Sequence, residues 1–295
     1  MSAAVIEPIR AVRRLWRREL PELLRQIHDP PQALFLRGAA GVEVLAQPAV
    51  AIVGARACSP YGAQVARMLG RELASAGLVV VSGLARGVDG EAHRGVLDAG
   101  GVTVAVLGCG IDRDYPAAHA ALAQRICERG LVVSEYEPGV EPAPWRFPAR
   151  NRIIAGLAAA TVIVEARERS GALITADFAL EDGREVFAVP GEITGTLSTG
   201  TNRLLRQGAT PLTSTEDVLE LFGLAASQRP RPSTLGVDAT AALARLADGA
   251  ASADELARAT GLEPGPLAAG LAELELAGLV AEAEGCYRVV MPLRH

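Results

Sequence analysis

AVAIVGARACSPYGAQVARMLGRELASAGLVVVS, residues 49–82, decides the fold. It opens and closes on short apolar runs rich in Val and Ile. Neither run alternates with polar residues, which is how strands covered on both faces read. Between them, the apolar residues of YGAQVARMLGRELASAG recur at three and four positions, the spacing of one helical face. The same alternation continues through apolar runs at 102–107, 131–134, 161–165 and 185–189. The pattern predicts an α/β fold over residues 48–223, a doubly wound and mostly parallel sheet. Ligands of such sheets sit outside the carboxyl ends of the strands.

Both flanks read differently. Residues 1–47 predict a short helical lead-in, punctuated by DPP at 29–31 and GAAG at 38–41. Its start is Arg-rich, but Glu7 and Glu19 interrupt it and it lacks the apolar core of a signal peptide. Residues 224–236 form a polar linker with Pro230, Pro232 and Gly236. Residues 237–295 carry helical segments near 239–247, 252–259 and 264–277. They end in LVAEAEGCYRVV, two strands around a Gly turn. Three helices and a two-stranded wing predict a small winged-helix-like domain.

A net charge of −5 argues against a generic polyanion binder but leaves room for a local basic groove. There is no lysine, so all 29 cations are arginines, each a planar fork able to grip phosphate through two bonds. The spacing of Cys58, Cys109, Cys127 and Cys286 suggests neither zinc nor a disulfide framework. That fits a reducing, cytoplasmic setting, and no run reaches the length of a membrane span.

The segments that follow the strands hold the candidate site. In VGARACSPYG (53–62), Gly54 begins a turn and Arg56 stands where a dinucleotide fingerprint would place its second Gly. Arg56 either meets a phosphate or pairs with a carboxylate. In SGLARGVDGEAHRG (82–95), Gly83, Gly87 and Gly90 let backbone N–H groups turn toward an anion, and Arg86 adds charge. Asp89 and His93 read better as a helix cap and a packing residue than as a catalytic pair. LGCGIDRDYP (107–116) is again Gly-rich at Gly108 and Gly110, and Cys109 has no assignable histidine partner. In EARERSGALITADFALEDGR, Ser170 and Gly171 open a helix, with Thr175 one turn in. VPGEITGTLSTGTNRLLRQGA, with Asn202, suits a loop bordering the site. No metal-ligand spacing, P-loop or nucleophile elbow occurs. These loops suit phosphates, without an obvious catalytic group.

PAPWRFPARNRII (142–154) falls on the same rim. Trp145 and Phe147 offer flat apolar faces, and Arg146, Arg150 and Arg152 flank them around Asn151. Aromatic faces beside cations suit single-stranded nucleic acid, whose bases stack while its phosphates meet arginines. The other reading packs Phe147 in the core and pairs the arginines with Glu135, Glu137 or Glu165.

Together, VGARACSPYG, SGLARGVDGEAH, LGCGIDRDYP, FPARNRIIAGL, SGALITADFALEDGREVFAVPG and TGTNRLLRQGA resemble the bacterial DNA-processing protein A (DprA/Smf) family, over about residues 20–225. The resemblance implies an extended Rossmann-like domain that binds single-stranded DNA and forms a homodimer. It further implies recruitment of the recombinase RecA onto incoming strands in natural transformation, with no catalysis and no required cofactor. The implied DNA pocket uses Arg56, Phe147, Arg150 and Arg152, with Gly and Ser positions of the other loops. Many relatives carry a Lys shortly before the Phe; here Pro144 and Trp145 stand there and Arg146 is the nearest cation. Many also have a longer helical N-terminal domain. The last helix of the C-terminal module, within 263–278, has no basic residue and carries Glu263, Glu273 and Glu275. Residues 226–295 hold 6 Arg against 9 acids, a net of −3. Duplex binding needs cations that are missing there, so a protein-contact or regulatory role is the better reading. Two alternatives stand beside the DNA-binding reading. One is a phosphoribohydrolase-like enzyme, whose P-G-G-x-G-T-x-x-E helix start is replaced here by ERSGALITAD. The other is a nucleotide sensor using the same loops without turnover.

Overall fold

The computed structural model describes residues 11–224, 235–277, 279–283 and 285–289. The chain divides into two compact units, residues 1–227 and 228–295. The expected start of the lead-in (1–10) and most of the expected linker (225–234) lie outside the described residues.

The first unit is built on a nine-stranded sheet in the order β1-β2-β6-β5-β4-β3-β7-β8-β9. Strand β1 is Arg13–Trp16 and, after a single helical turn α1 (Glu22–Arg25), β2 is Ala33–Arg37. Strand β3 (Ala49–Val53) leads through α2 (Pro60–Ser75) to β4 (Val79–Ser82), and α3 (Val88–Asp98) leads to β5 (Thr103–Leu107). Then come α4 (Ala120–Arg129), β6 (Leu131–Ser134), α5 (Arg146–Gly156), β7 (Ala160–Ile163), α6 (Gly171–Glu181) and β8 (Glu185–Ala188). The short α7 (Thr199–Arg206), β9 (Thr210–Pro211) and α8 (Thr215–Leu221) complete the unit. Strands β3 to β9 pair in parallel; β1 with β2, and β2 with β6, pair antiparallel.

The sheet is covered on both faces, and its alternation shows why the strands read as unbroken apolar runs. Val50 and Ile52 of β3 pack with α2 and α3, while Ala49, Ala51 and Val53 pack toward α5 and α6. From β3 the chain winds outward through β4, β5 and β6, then returns to place β7 on the other side of β3. The strand order therefore reverses between β3 and β7, the place where open sheets of this kind leave a crevice.

The lead-in departs from the helical expectation. RRLW and ALFLR form two strands that extend the sheet past β6 instead. In β1 Leu15 turns inward and Trp16 outward, while Leu34 and Leu36 of β2 are fully buried. A ready sheet edge at β6 offers backbone partners that outweigh the helix preference of Arg and Leu.

The second unit packs α9 (Val237–Leu246), α10 (Ala253–Thr260) and α11 (Pro264–Leu276) against a three-stranded sheet in the order β10-β12-β11. Its strands are β10 (Ala251–Ser252), β11 (Val280–Ala283) and β12 (Cys286–Val289), the last two forming the expected wing. Leu243, Leu256, Leu267, Leu271 and Leu274 make its core.

Candidate functional site

The crevice between β3 and β7 is a cleft of about 320 Å³. Its walls come from the β3 exit (Gly54–Ala57), the first half of α5 (Phe147, Pro148, Arg150, Asn151, Ile154) and the β7 exit with the start of α6 (Arg167, Arg169–Ala172, Thr175). Four arginines and one acid, Asp89, line it, so the cleft is basic although the chain is acidic.

Arg150 forms the floor. It is 4% exposed, and its guanidinium donates to the carbonyls of Gly83 (2.7 Å) and Val106 and to Asn151 Oδ1 (3.1 Å). Asn151 Nδ2 passes the connection on to the Gly171 carbonyl at 3.0 Å. One helix thereby ties together the exits of β4, β5 and β7. Burial draws the Arg150 pKa down to about 10, with Asp89 opposing and Arg56 assisting, so it stays a cation at neutral pH. Burial pushes the Asp89 carboxyl up, against the pull of Arg150 and two backbone amides.

Those two amides change the meaning of the β4 exit. Gly83 N–H and Ala85 N–H both donate to Asp89 Oδ2, at 3.1 and 3.4 Å. Leu84 between them is left-handed (φ 57°), and its carbonyl is held by His119 Nδ1 at 2.9 Å. The turn expected to face a bound anion already encloses one of its own. Gly83 is needed because a Cβ there would run into Arg150, and Gly108 because a Cβ would meet the Phe147 ring at 2.9 Å. His93 is fully buried against Thr103 (2.8 Å), the structural role the sequence favoured. Cys109 is likewise buried.

At the β7 exit the amides are used differently. Ser170 caps α6 by accepting from Ala172 N–H (3.3 Å), and the first turn of the helix opens into the cleft beside Thr175. A helix N-terminus with exposed Arg167 and Arg169 next to it is a ready anion site. Neither arginine has an acidic partner among the described residues.

Phe147 stands at the mouth. Tyr115 stacks on it with centroids 5.1 Å apart and planes 25° apart, and the exposed Arg56 guanidinium lies 5.4 Å from its centroid. Arg56 lines the cleft together with Phe147, and Tyr115 does not.

Gly54, Arg56, Phe147, Arg150, Asn151, Ser170, Gly171 and Thr175 thus converge on one cleft. Gly83, Arg86, Gly108, Arg146, Arg152 and Asn202 do not line it. Arg86 is exposed on the β4 exit. Arg152 corrects the grouping of the two Arg-Asn-Arg cations: it lies in another groove, bonded to Glu135 (2.7 Å) and Asp29 (3.0 Å). Asn202 exchanges bonds with the Gly191 backbone (3.0 and 3.3 Å) and shapes the β8 exit. Sequence reading missed Arg167 and Arg169, hidden by Glu168 between them, and Tyr115, which sits in a loop without periodic signal. No group of His, Cys, Asp and Glu among the described residues could hold a metal ion.

The chain thus combines a two-sided α/β unit, with a basic crevice at its switch point, and a winged-helix unit. The chain matches the model of the DNA recombination-mediator protein A family over residues 12–223 and that of the DprA winged helix domain over 225–285. It belongs to this DprA family. It is 47% identical over 199 residues to the DNA processing protein DprA of Streptococcus pneumoniae, covering 68% of this chain and 70% of that protein. Among solved structures it resembles DprA of S. pneumoniae with a TM-score of 0.68, at 43% identity over 74% of this chain and 77% of the other. It also resembles DNA processing protein A of Helicobacter pylori, a structure described for its single-stranded DNA binding mode. There the TM-score is 0.65 at 32% identity, over 72% of this chain and 95% of the other.

Proposed function

We propose that the cleft binds single-stranded DNA. The observation that carries this reading is the convergence of Arg56, Arg167 and Arg169, each exposed and without an acidic partner among the described residues, on a cleft whose mouth is an aromatic ring. Arginines and the α6 N-terminus take phosphates, and the cleft-side face of Phe147 takes a base. Single-strand binding by the H. pylori relative supports the same reading. A duplex keeps its bases stacked inside and cannot offer one to Phe147, so a preference for single strands follows. The further steps implied by the family resemblance, loading of RecA onto the strand during natural transformation by a cytoplasmic homodimer without turnover, belong to this proposal. A protein-contact role for the second unit belongs to it too, since the exposed side of α11 carries no cation.

The test is fluorescence anisotropy of labelled oligo-dT against its duplex over a salt series. Tight binding with preference for the single strand is expected. Absence of strand binding at low salt would overturn the reading. RecA filament growth on strands coated by a single-strand-binding protein then tests the loading step.

A further inference from the structure

Resting on the single-strand reading of the cleft, we propose that the bound strand leaves the cleft over Phe147 and stacks its next base on a second platform, the open face of Trp145. Trp145 is 62% exposed, an unusual position for the largest apolar side chain of a folded unit. It is also held in place. The Arg146 guanidinium lies 4.7 Å from the Trp145 ring centroid and 5.1 Å from that of Tyr136, so the two rings flank one cation. Arg146 also donates to the Glu141 carbonyl. The loop beneath is pinned by the Arg113–Glu141 ion pair (2.6 Å), by Gly139 N–H on Asp112 (2.9 Å) and by Gly110 N–H on the Val140 carbonyl (2.8 Å). A ring fixed in advance loses little freedom when a base settles on it.

Chain geometry sets the direction of the path. Trp145 immediately precedes α5 and Phe147 lies in its first turn, so both rings stand at the N-terminal end of that helix; two helical steps separate them, and the strand rounds this end to pass from one ring to the other. Its far limit is set by charge. Beyond Tyr136 opens a groove of about 360 Å³ lined by Asp29, Glu135 and Glu137 against Arg14 and Arg152. Arg152 is already bonded to Asp29 and Glu135, and Glu137 is exposed. That wall is net acidic and turns phosphates away, so the strand ends its contact at Trp145.

The chain has two tryptophans, Trp16 and Trp145, so in full-length Trp16→Phe the emission reports Trp145 alone. Oligo-dT of increasing length is titrated while anisotropy and emission are read together. The proposal expects quenching that tracks binding for strands long enough to leave the cleft and fades for shorter ones. It expects Trp145→Ala to bind long strands about 5- to 30-fold more weakly, with an unchanged salt slope, and Trp145→Phe to recover most of that loss. Strand binding by Trp16→Phe without change in emission, with Trp145→Ala binding like the parent, overturns the platform and leaves the cleft intact. Failure of every strand to bind overturns the cleft, and the platform with it.

Discussion

The exits of β4 and β7 look alike in sequence and differ in what they do. Each pairs glycine with arginine ahead of a helix: SGLARGVDG at one, EARERSGAL at the other. In the first, the free amides close on Asp89, which in turn lies beside the buried Arg150. In the second, Ser170 satisfies one amide and the rest of the turn faces the cleft beside two exposed arginines. The difference rests on one carboxylate placed to fill its own nest. An anion site in a glycine-rich turn is therefore identified by where its amides point.

The sharpest way to break this comparison is to empty the β4 nest. Asp89→Ala leaves Arg150 buried without its counter-charge and two amides without an acceptor. A stability loss of about 3–5 kcal/mol is expected, read as a lower urea midpoint. Asp89→Ala combined with Arg150→Met is expected to regain part of that loss, because the stranded charge is gone. A single variant as stable as the parent would show that the nest is open, like the one at β7.

Acid probes the same buried side. Burial lowers the His93 pKa to about 3 from its ordinary 6.5, so the folded chain keeps the ring neutral. The unfolded chain takes up a proton first. The contribution is fully present above about pH 6.5 and is lost as pH falls toward 3, amounting to about 4 kcal/mol at pH 3. Asp89, whose pKa is raised, acts with the opposite sign, so the readout is the difference between parent and His93→Leu. The variant is expected to show the shallower fall of stability between about pH 6.5 and 3; equal slopes would mean that His93 is solvated.

What the sequence shows and hides follows the same division. The six central strands are legible because both faces are buried, which forces continuous Val- and Ile-rich runs. Strands β1 and β2 were hidden because RRLW and ALFLR carry arginine and are short, and because the partner of β2 lies about a hundred residues on, at β6. In the site, Phe147, Arg56 and Ser170 could be chosen by residue type and position. Arg150 and Arg152 could not be told apart by type. Two helical steps turn a side chain by about 200°, which sends one to the cleft floor and the other to the acidic groove.

The β7 exit offers the complementary test, smaller in energy and confined to binding. Arg167→Ala with Arg169→Ala removes two exposed cations that hold nothing together, so stability is expected to stay within about 0.5 kcal/mol. Oligo-dT affinity is expected to fall about tenfold near physiological salt. The slope of log K against log salt is expected to become shallower by about 1.4. Phe147→Ala should weaken the same binding with the slope preserved, since it removes a ring and no charge.

The smallest effect on binding tests the geometry of the Arg-Asn-Arg run itself. Arg152 is bonded to Glu135 and Asp29, outside the cleft, and its pKa is raised by those bonds against the cost of burial. Arg152→Ala is therefore expected to leave both the affinity for oligo-dT and its salt slope at parental values. Its cost falls on stability instead, about 2–3 kcal/mol, since Glu135, held through two guanidinium nitrogens and largely buried, is left without its partner, while the exposed Asp29 adds little. A slope shallower by about 0.7 would mean that Arg152 leaves its acids and meets a phosphate when the strand binds. In that case the acidic groove would not bound the strand path, and the Arg-Asn-Arg cations would act together.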